Sequence, residues 1–156
     1  MNAIRRNFLK SGVFFGAAIT AMGAGLLAPG RAFAAYLADA FAAKDVSTAL
    51  KAAVGSDAHT PSSLIQLKAP DIAENGAVVP ITVSSTLPNV ESISIVASGN
   101  DIPFTSIYQF PVGTEAFVST RIKMAKTADV IAVVKSDGQL FSARKEVKVT
   151  IGGCGG

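Results

Sequence analysis

Cys154 is the single cysteine of this 156-residue sequence, and it stands in Gly152-Gly153-Cys154-Gly155-Gly156. A thiol is the strongest nucleophile among the ordinary side chains, and it reacts as its thiolate. The four flanking glycines remove side-chain obstruction and leave φ and ψ free, so a flexible tether is expected. Five residues fully extended reach roughly 17 Å, enough to enter a deep active site. A carried group must form a bond, survive transport, and be released by another protein; sulfur attached to sulfur meets all three requirements. An unperturbed thiol titrates near ~8.5, and a carboxylate two residues on disfavours a second negative charge. The pattern therefore implies a carrier and not an enzyme: Cys154 is the expected covalent attachment point for sulfur intermediates, and a partner's cleft must activate it.

The remaining chemistry-bearing residues are few. One histidine, His59, sits beside Thr60-Pro61 and is expected as an exposed loop residue. One Cys and one His fall short of the four ligands of an ordinary zinc site, so no metal and no resident cofactor are expected. There is no G-x-S-x-G, no phosphate-cradling glycine loop and no heptad pattern. Prenylation fails on spacing, because two residues follow Cys154 and the motif needs three. An odd exposed cysteine can pair between molecules. A rival reading is therefore an interaction module that uses Cys154 for a permanent intermolecular disulfide. A second rival takes Gly155-Gly156 as the end of a thiocarboxylate carrier, which leaves Cys154 unexplained. An enzyme reading would need His59 brought to the thiol by folding.

The N-terminus carries its own address. Arg5-Arg6-Asn7-Phe8-Leu9-Lys10 precedes an apolar stretch and then Ala32-Phe33-Ala34. That is a twin-arginine export signal with an A-x-A cleavage pattern, and cleavage is expected between Ala34 and Ala35. Gly16, Thr20, Gly23 and Gly25 dilute the apolar run, so no membrane anchor is expected. The destination is the periplasm, reached in the folded state. Removing 34 of 156 residues leaves 122, enough for one domain. The signal holds Arg5, Arg6, Lys10 and Arg31 and no acid, so ten cationic residues then face eleven acidic ones. The formal charge of +3 belongs to the precursor and is no sign of affinity for nucleic acid.

Positioning the tether falls to residues 35–151, with 152–156 as the arm. Helical spacing runs from Ala38 to Val54, and Gly55 stops it. Its alanine-rich face is expected to pack on a sheet or on a partner. From residue 64 onward the period is two, with seven candidate strands: Leu64–Lys68, Ala77–Ser85, Ser92–Ala97, Ser106–Phe110, Ala116–Met124, Asp129–Lys135 and Leu140–Ile151. Each is expected to bury one face. Asp137-Gly138 is the strongest hairpin signal between them. Pro80 marks its strand as an edge or a bulge site. The fold class is mainly β: an immunoglobulin-like antiparallel sandwich of about seven strands with an N-terminal helix.

These residues resemble the SoxY family of the bacterial sulfur-oxidation system. The resemblance rests on Val147-Lys148-Val149-Thr150-Ile151-Gly152-Gly153-Cys154-Gly155-Gly156, on the export signal, on Ile72-Ala73-Glu74-Asn75-Gly76-Ala77-Val78-Val79-Pro80 and on Thr120-Arg121-Ile122-Lys123-Met124-Ala125. It implies that Cys154 holds inorganic sulfur during thiosulfate oxidation, in a heterodimer with a SoxZ-type subunit. It further implies that a cytochrome complex loads the thiol, a hydrolase releases sulfate, and a sulfane dehydrogenase, where present, oxidises the remaining sulfur. Arg121, Lys123 and Lys126 are either a docking face for such partners or the solvated side of a strand and its turn.

Overall fold

The computed structural model describes residues 37–150. The twin-arginine signal, the cleavage site at Ala34 and Ala35, and the whole Gly152–Gly156 arm with Cys154 lie outside the described residues.

The chain is mainly β, in two sheets. Helical residues 37–42 are followed by α1 (Val46–Val54), and then by β1 (Thr60–Pro61), β2 (Ile65–Lys68), β3 (Ile72–Ala73), β4 (Val79–Ser85), β5 (Val90–Ala97), β6 (Phe104–Gln109), β7 (Phe117–Ile122), β8 (Ala128–Ser136) and β9 (Gln139–Val149). The larger sheet has the order β1-β9-β8-β5-β6, with β3 also paired to β9; the smaller is β2-β4-β7. The seven expected strands are β2 and β4 to β9. The two additional ones, β1 and β3, are two-residue stretches that run parallel to β9. Two residues are too short for alternation to register, so Thr60-Pro61, beside the expected loop residue His59, proves to be β1.

The helix expected as one piece from Ala38 to Val54 is broken at residues 43–45. Asp45 adopts extended backbone angles and caps α1, its carboxylate accepting from the Thr48 N–H at 2.8 Å. That bond, first among the causes, holds the Asp45 carboxyl below the usual carboxylate range. The signal was present in Asp45-Val46-Ser47-Thr48, a capping residue followed by β-branched and hydroxyl residues, but the continuous alanine run concealed it. α1 ends at Gly55 as expected, the Gly55 N–H donating to the Lys51 carbonyl at 3.0 Å.

Between the sheets lie Val79, Ile81 and Val83 of β4, Ile93 and Ile95 of β5, Val130, Ala132 and Val134 of β8, and Val147 of β9. Burying each of these valine and isoleucine side chains stabilises the fold by roughly 1.5–3 kcal/mol before entropy is counted. A second cluster joins Ala49, Leu50 and Ala53 of α1 to Val96, Phe104 and Val133 on the outer face of the larger sheet. The Phe41 ring meets Phe104 edge-on with centroids 5.0 Å apart. The alanine-rich face therefore packs on the sheet. For the same reason β5 and β8 are buried on both faces along much of their length, where a single buried face was expected.

β4 is the central strand of its sheet and not an edge. Pro80 is tolerated there because pairing with β2 stops at Lys68 opposite Thr82, so Pro80 has a ladder neighbour, Arg121, on one side only. The β8–β9 hairpin turns as its sequence predicts, with φ of 48° at Asp137 and 73° at Gly138 between paired Ser136 and Gln139. Glu91 anchors that end: its carboxylate accepts from Gly138 N–H at 2.7 Å and pairs with Lys135 at 3.0 Å. Lys135 first, and Gly138 second, hold the Glu91 carboxyl below its ordinary value. A depressed carboxylate stabilises the fold above its unfolded-state value, about 4.3 for glutamate, and that contribution is lost as the pH falls through the folded-state value. Glu91→Gln is accordingly expected to flatten the fall in stability below about pH 4.3, as read by urea unfolding at a series of pH values.

Candidate functional site

Cys154 follows Thr150, the last described residue, by four positions. What the structure places is therefore the root of the arm, and every element around it can be traced to particular residues. Val147 packs into the core and Lys148 is exposed. β3 runs parallel alongside, pairing Ile72 with Lys148 and Ala73 with Val149. The Lys148 N–H donates to the Asp71 carbonyl at 3.0 Å and the Thr150 N–H to the Ala73 carbonyl at 3.1 Å, so the strand is held through its last described residue. On the other flank the Thr127 hydroxyl accepts from the Val149 N–H at 2.9 Å and lies 3.5 Å from the Val149 carbonyl, to which it donates.

Two segments that carried the family resemblance, 72–80 and 120–125, meet here. The Met124 N–H donates to the Gly76 carbonyl at 2.7 Å. A methyl group built on Gly76 would collide with the Met124 carbonyl oxygen and stand 2.8 Å from Val149 Cγ1. Glycine at 76 is thus what lets the 74–78 turn, the 123–127 turn and the end of β9 come together. Asn100 closes the third side. Its amide donates to the Lys123 carbonyl at 2.7 Å and its side-chain oxygen accepts from the Ala125 N–H at 2.8 Å, joining the β5–β6 turn to the segment after β7. The sequence flagged Glu74-Asn75-Gly76 and Ser98-Gly99-Asn100 only as turns; that their atoms converge depends on strand order, which no local pattern encodes. Asn100→Ala, which removes two exposed hydrogen bonds worth about 0.5–1.5 kcal/mol each, is expected to destabilise the domain by about 1–3 kcal/mol in urea unfolding.

His59 is not the exposed loop histidine expected. It is half-buried, with Nδ1 2.9 Å from the Ser142 hydroxyl on β9. Ser142 and Val149 are seven residues apart on one strand, about 23 Å at ~3.3 Å per residue. The four residues from Thr150 to Cys154 span at most about 14 Å, and they leave from the opposite end of that strand. The thiol of one molecule therefore cannot reach its own His59, which removes the histidine as an intramolecular base. A surface concavity of about 740 Å³ also lies at the far end, lined by Leu87, Glu91, Phe110 and Val112 among others.

Among the described residues no group of three or more His, Cys, Asp or Glu side chains could hold a metal ion. Among them, too, no helix is long and apolar enough to cross a membrane. Arg121 and Lys123 flank buried Ile122, and with Lys126 they are exposed.

A family model described as sulfur oxidation protein SoxY matches residues 50–154, more than half of the chain. No curated protein matches. Among solved structures, the sulfur carrier protein SoxY from Chlorobium limicola f thiosulfatophilum is 43% identical, with a TM-score of 0.61, over 66% of this chain and 94% of that one. A superoxide reductase (neelaredoxin) from Ignicoccus hospitalis is 23% identical, with a TM-score of 0.49, over 59% of this chain and 81% of that one, a likeness too slight to bear on the chemistry.

Proposed function

We propose, on the premise that this chain belongs to the SoxY family of sulfur oxidation proteins, that it is a periplasmic carrier whose Cys154 holds thiosulfate-derived sulfur and presents it to separate enzymes. The observation that carries the reading is that the family match runs through to Cys154. The protein itself supplies no catalysis. It supplies a thiol on a glycine-flanked segment and a domain that fixes where that segment starts.

In this reading the thiolate joins the outer sulfur of thiosulfate to give Cys154–S–S–SO₃⁻. Two electrons leave in that step, and a partner cytochrome accepts them. Water then releases sulfate and two protons, leaving the persulfide on Cys154, whose outer sulfur a dehydrogenase partner oxidises. The domain pairs with a small SoxZ-type subunit, and the twin-arginine signal delivers the folded pair to the periplasm. The root supports this division of labour: hydrogen bonds on both flanks hold the backbone up to Thr150, which fixes the point from which the segment carrying Cys154 starts.

The test is mass spectrometry of the protein isolated from thiosulfate-grown cells, with and without reductant. Reductant-sensitive additions of sulfur or thiosulfonate on the peptide containing Cys154 are expected. One permanent protein disulfide under all growth conditions would replace the carrier with an interaction module.

A further inference from the structure

Charge is distributed unevenly along the long axis of the sandwich. β9 runs from the Asp137–Gly138 turn to the arm root, so the turns 74–78, 98–103 and 123–127 lie at the arm end. Exposed Arg121, Lys123, Lys126 and Lys148 stand at that end. Lys126 is next to Thr127, which grips Val149; the Lys123 backbone is held by Asn100; Lys148 lies two residues before Thr150. Among the described residues none of the four is within salt-bridge distance of a carboxylate, which they share with Lys44 and Lys68, whereas Lys51, Lys135, Arg144 and Lys145 are all paired. Glu74 and Asp101 are the acids of the same turns; Asp71, whose carbonyl accepts from the Lys148 N–H, is taken up by Lys145, Asp129 is taken up by Arg144, and Glu146 stands two residues before Lys148 on β9. The far end carries Glu91, Glu115 and Asp137 against Lys135 alone. The arm end is therefore net cationic and the far end net anionic.

A solvated strand face accounts for Arg121 and Lys123 alone. It does not account for the convergence of cations from β7, from the turn after it and from β9 on the base of one arm. We infer that Arg121, Lys123, Lys126 and Lys148 form a docking collar for partner proteins whose active-site entrance is rimmed with carboxylates. The inference rests on the carrier reading. With the arm held to about 14 Å by contour length, Cys154 enters a cleft only when the collar is seated at its mouth. A cationic collar does two things there. It steers the encounter so that the arm leads. It also seats the domain at the mouth of the cleft, within the arm's contour length.

The experiment measures the rate at which thiosulfate-dependent, reductant-sensitive mass appears on Cys154. Purified full-length carrier is incubated with thiosulfate and a carrier-depleted periplasmic fraction, from about 20 to about 300 mM salt, the range over which exposed charges become screened. For the unaltered protein the rate is expected to fall about tenfold over that range. The Lys123→Glu/Lys126→Glu variant is expected to load at least tenfold more slowly at low salt and to lose the salt dependence. Glu115→Lys at the far end is expected to load normally. Alkylation of Cys154 by iodoacetamide is expected to be equal in all three, showing that the thiol is equally accessible. Normal loading by the lysine variant, or a rate indifferent to salt, overturns the collar while leaving the carrier reading intact. Salt-insensitive loading accompanied by cosedimentation with anionic lipid vesicles assigns the cations to a membrane surface and also overturns it. If the unaltered protein acquires no sulfur at all, the carrier reading falls and the collar falls with it.

Discussion

Cys154→Ser is expected to abolish covalent sulfur loading altogether, with no detectable thiosulfate-dependent mass on the C-terminal peptide and no change in the thermal unfolding of the domain. The two halves of this expectation have separate physical origins. A serine hydroxyl is almost wholly protonated at neutral pH, whereas a thiol near its ordinary pKa of about 8.5 presents a few per cent of reactive thiolate. Oxygen also forms no persulfide, so even a slow attack would leave nothing for a sulfur-oxidising partner to use. Stability is unaffected because residue 154 lies four positions beyond Thr150, where the hydrogen bonds that close β9 onto Ala73 and Thr127 have already been made. Intact-mass measurement after incubation with thiosulfate and periplasmic fraction checks the first half, and a melting curve the second. A serine variant that still acquires reductant-sensitive sulfur would place the attachment site elsewhere and remove the reading of the arm.

The sequence was most informative where the relevant physics is local. Alternation of apolar residues located β4, β8 and β9 to within one or two residues of their observed bounds at the described ends, since every second side chain of a half-buried strand must face the core. Asp137-Gly138 specified its hairpin because a two-residue turn requires positive φ at both positions. Where the outcome depended on tertiary neighbours, sequence reasoning ran out. The outer faces of β5 and β8 are apolar because α1 covers them; the unbroken run Val130-Ile131-Ala132-Val133-Val134 signals two buried faces but not the element that covers the second. Pro80 was read as marking an edge or a bulge site; its strand is central, and only because β2 ends two residues short of it does Pro80 itself have one ladder neighbour. His59 lies in a loop as expected, but it was taken for exposed because its partner, Ser142, is 83 positions away. The arm root shows the same division. Its cysteine could be singled out from composition alone, but the clamp of Gly76, Asn100 and Thr127 that places it is assembled from three turns whose convergence follows from strand order.

Gly76→Ala is expected to be the most damaging single methyl addition at that clamp. The added carbon meets the Met124 carbonyl oxygen, a backbone atom with no rotamer to escape into, and Val149 Cγ1 at 2.8 Å. Relief requires the 123–125 segment to move away from the 74–78 turn, which weakens the bond from the Met124 N–H to the Gly76 carbonyl. Inserting a methyl where nothing can yield costs about 1–3 kcal/mol, visible as a lower urea midpoint at unchanged slope. The same movement disturbs Asn100, which holds Lys123 and Ala125 from the other side. The two substitutions therefore act on one segment, and their effects are expected not to add. In a double-mutant cycle, Asn100→Ala should cost about 0.5–3 kcal/mol less in the Gly76→Ala background than alone, because the segment it would release has already shifted. Strict additivity would mean that Gly76 and Asn100 position the arm root independently, and the clamp would then be two separate contacts and not one cooperative element.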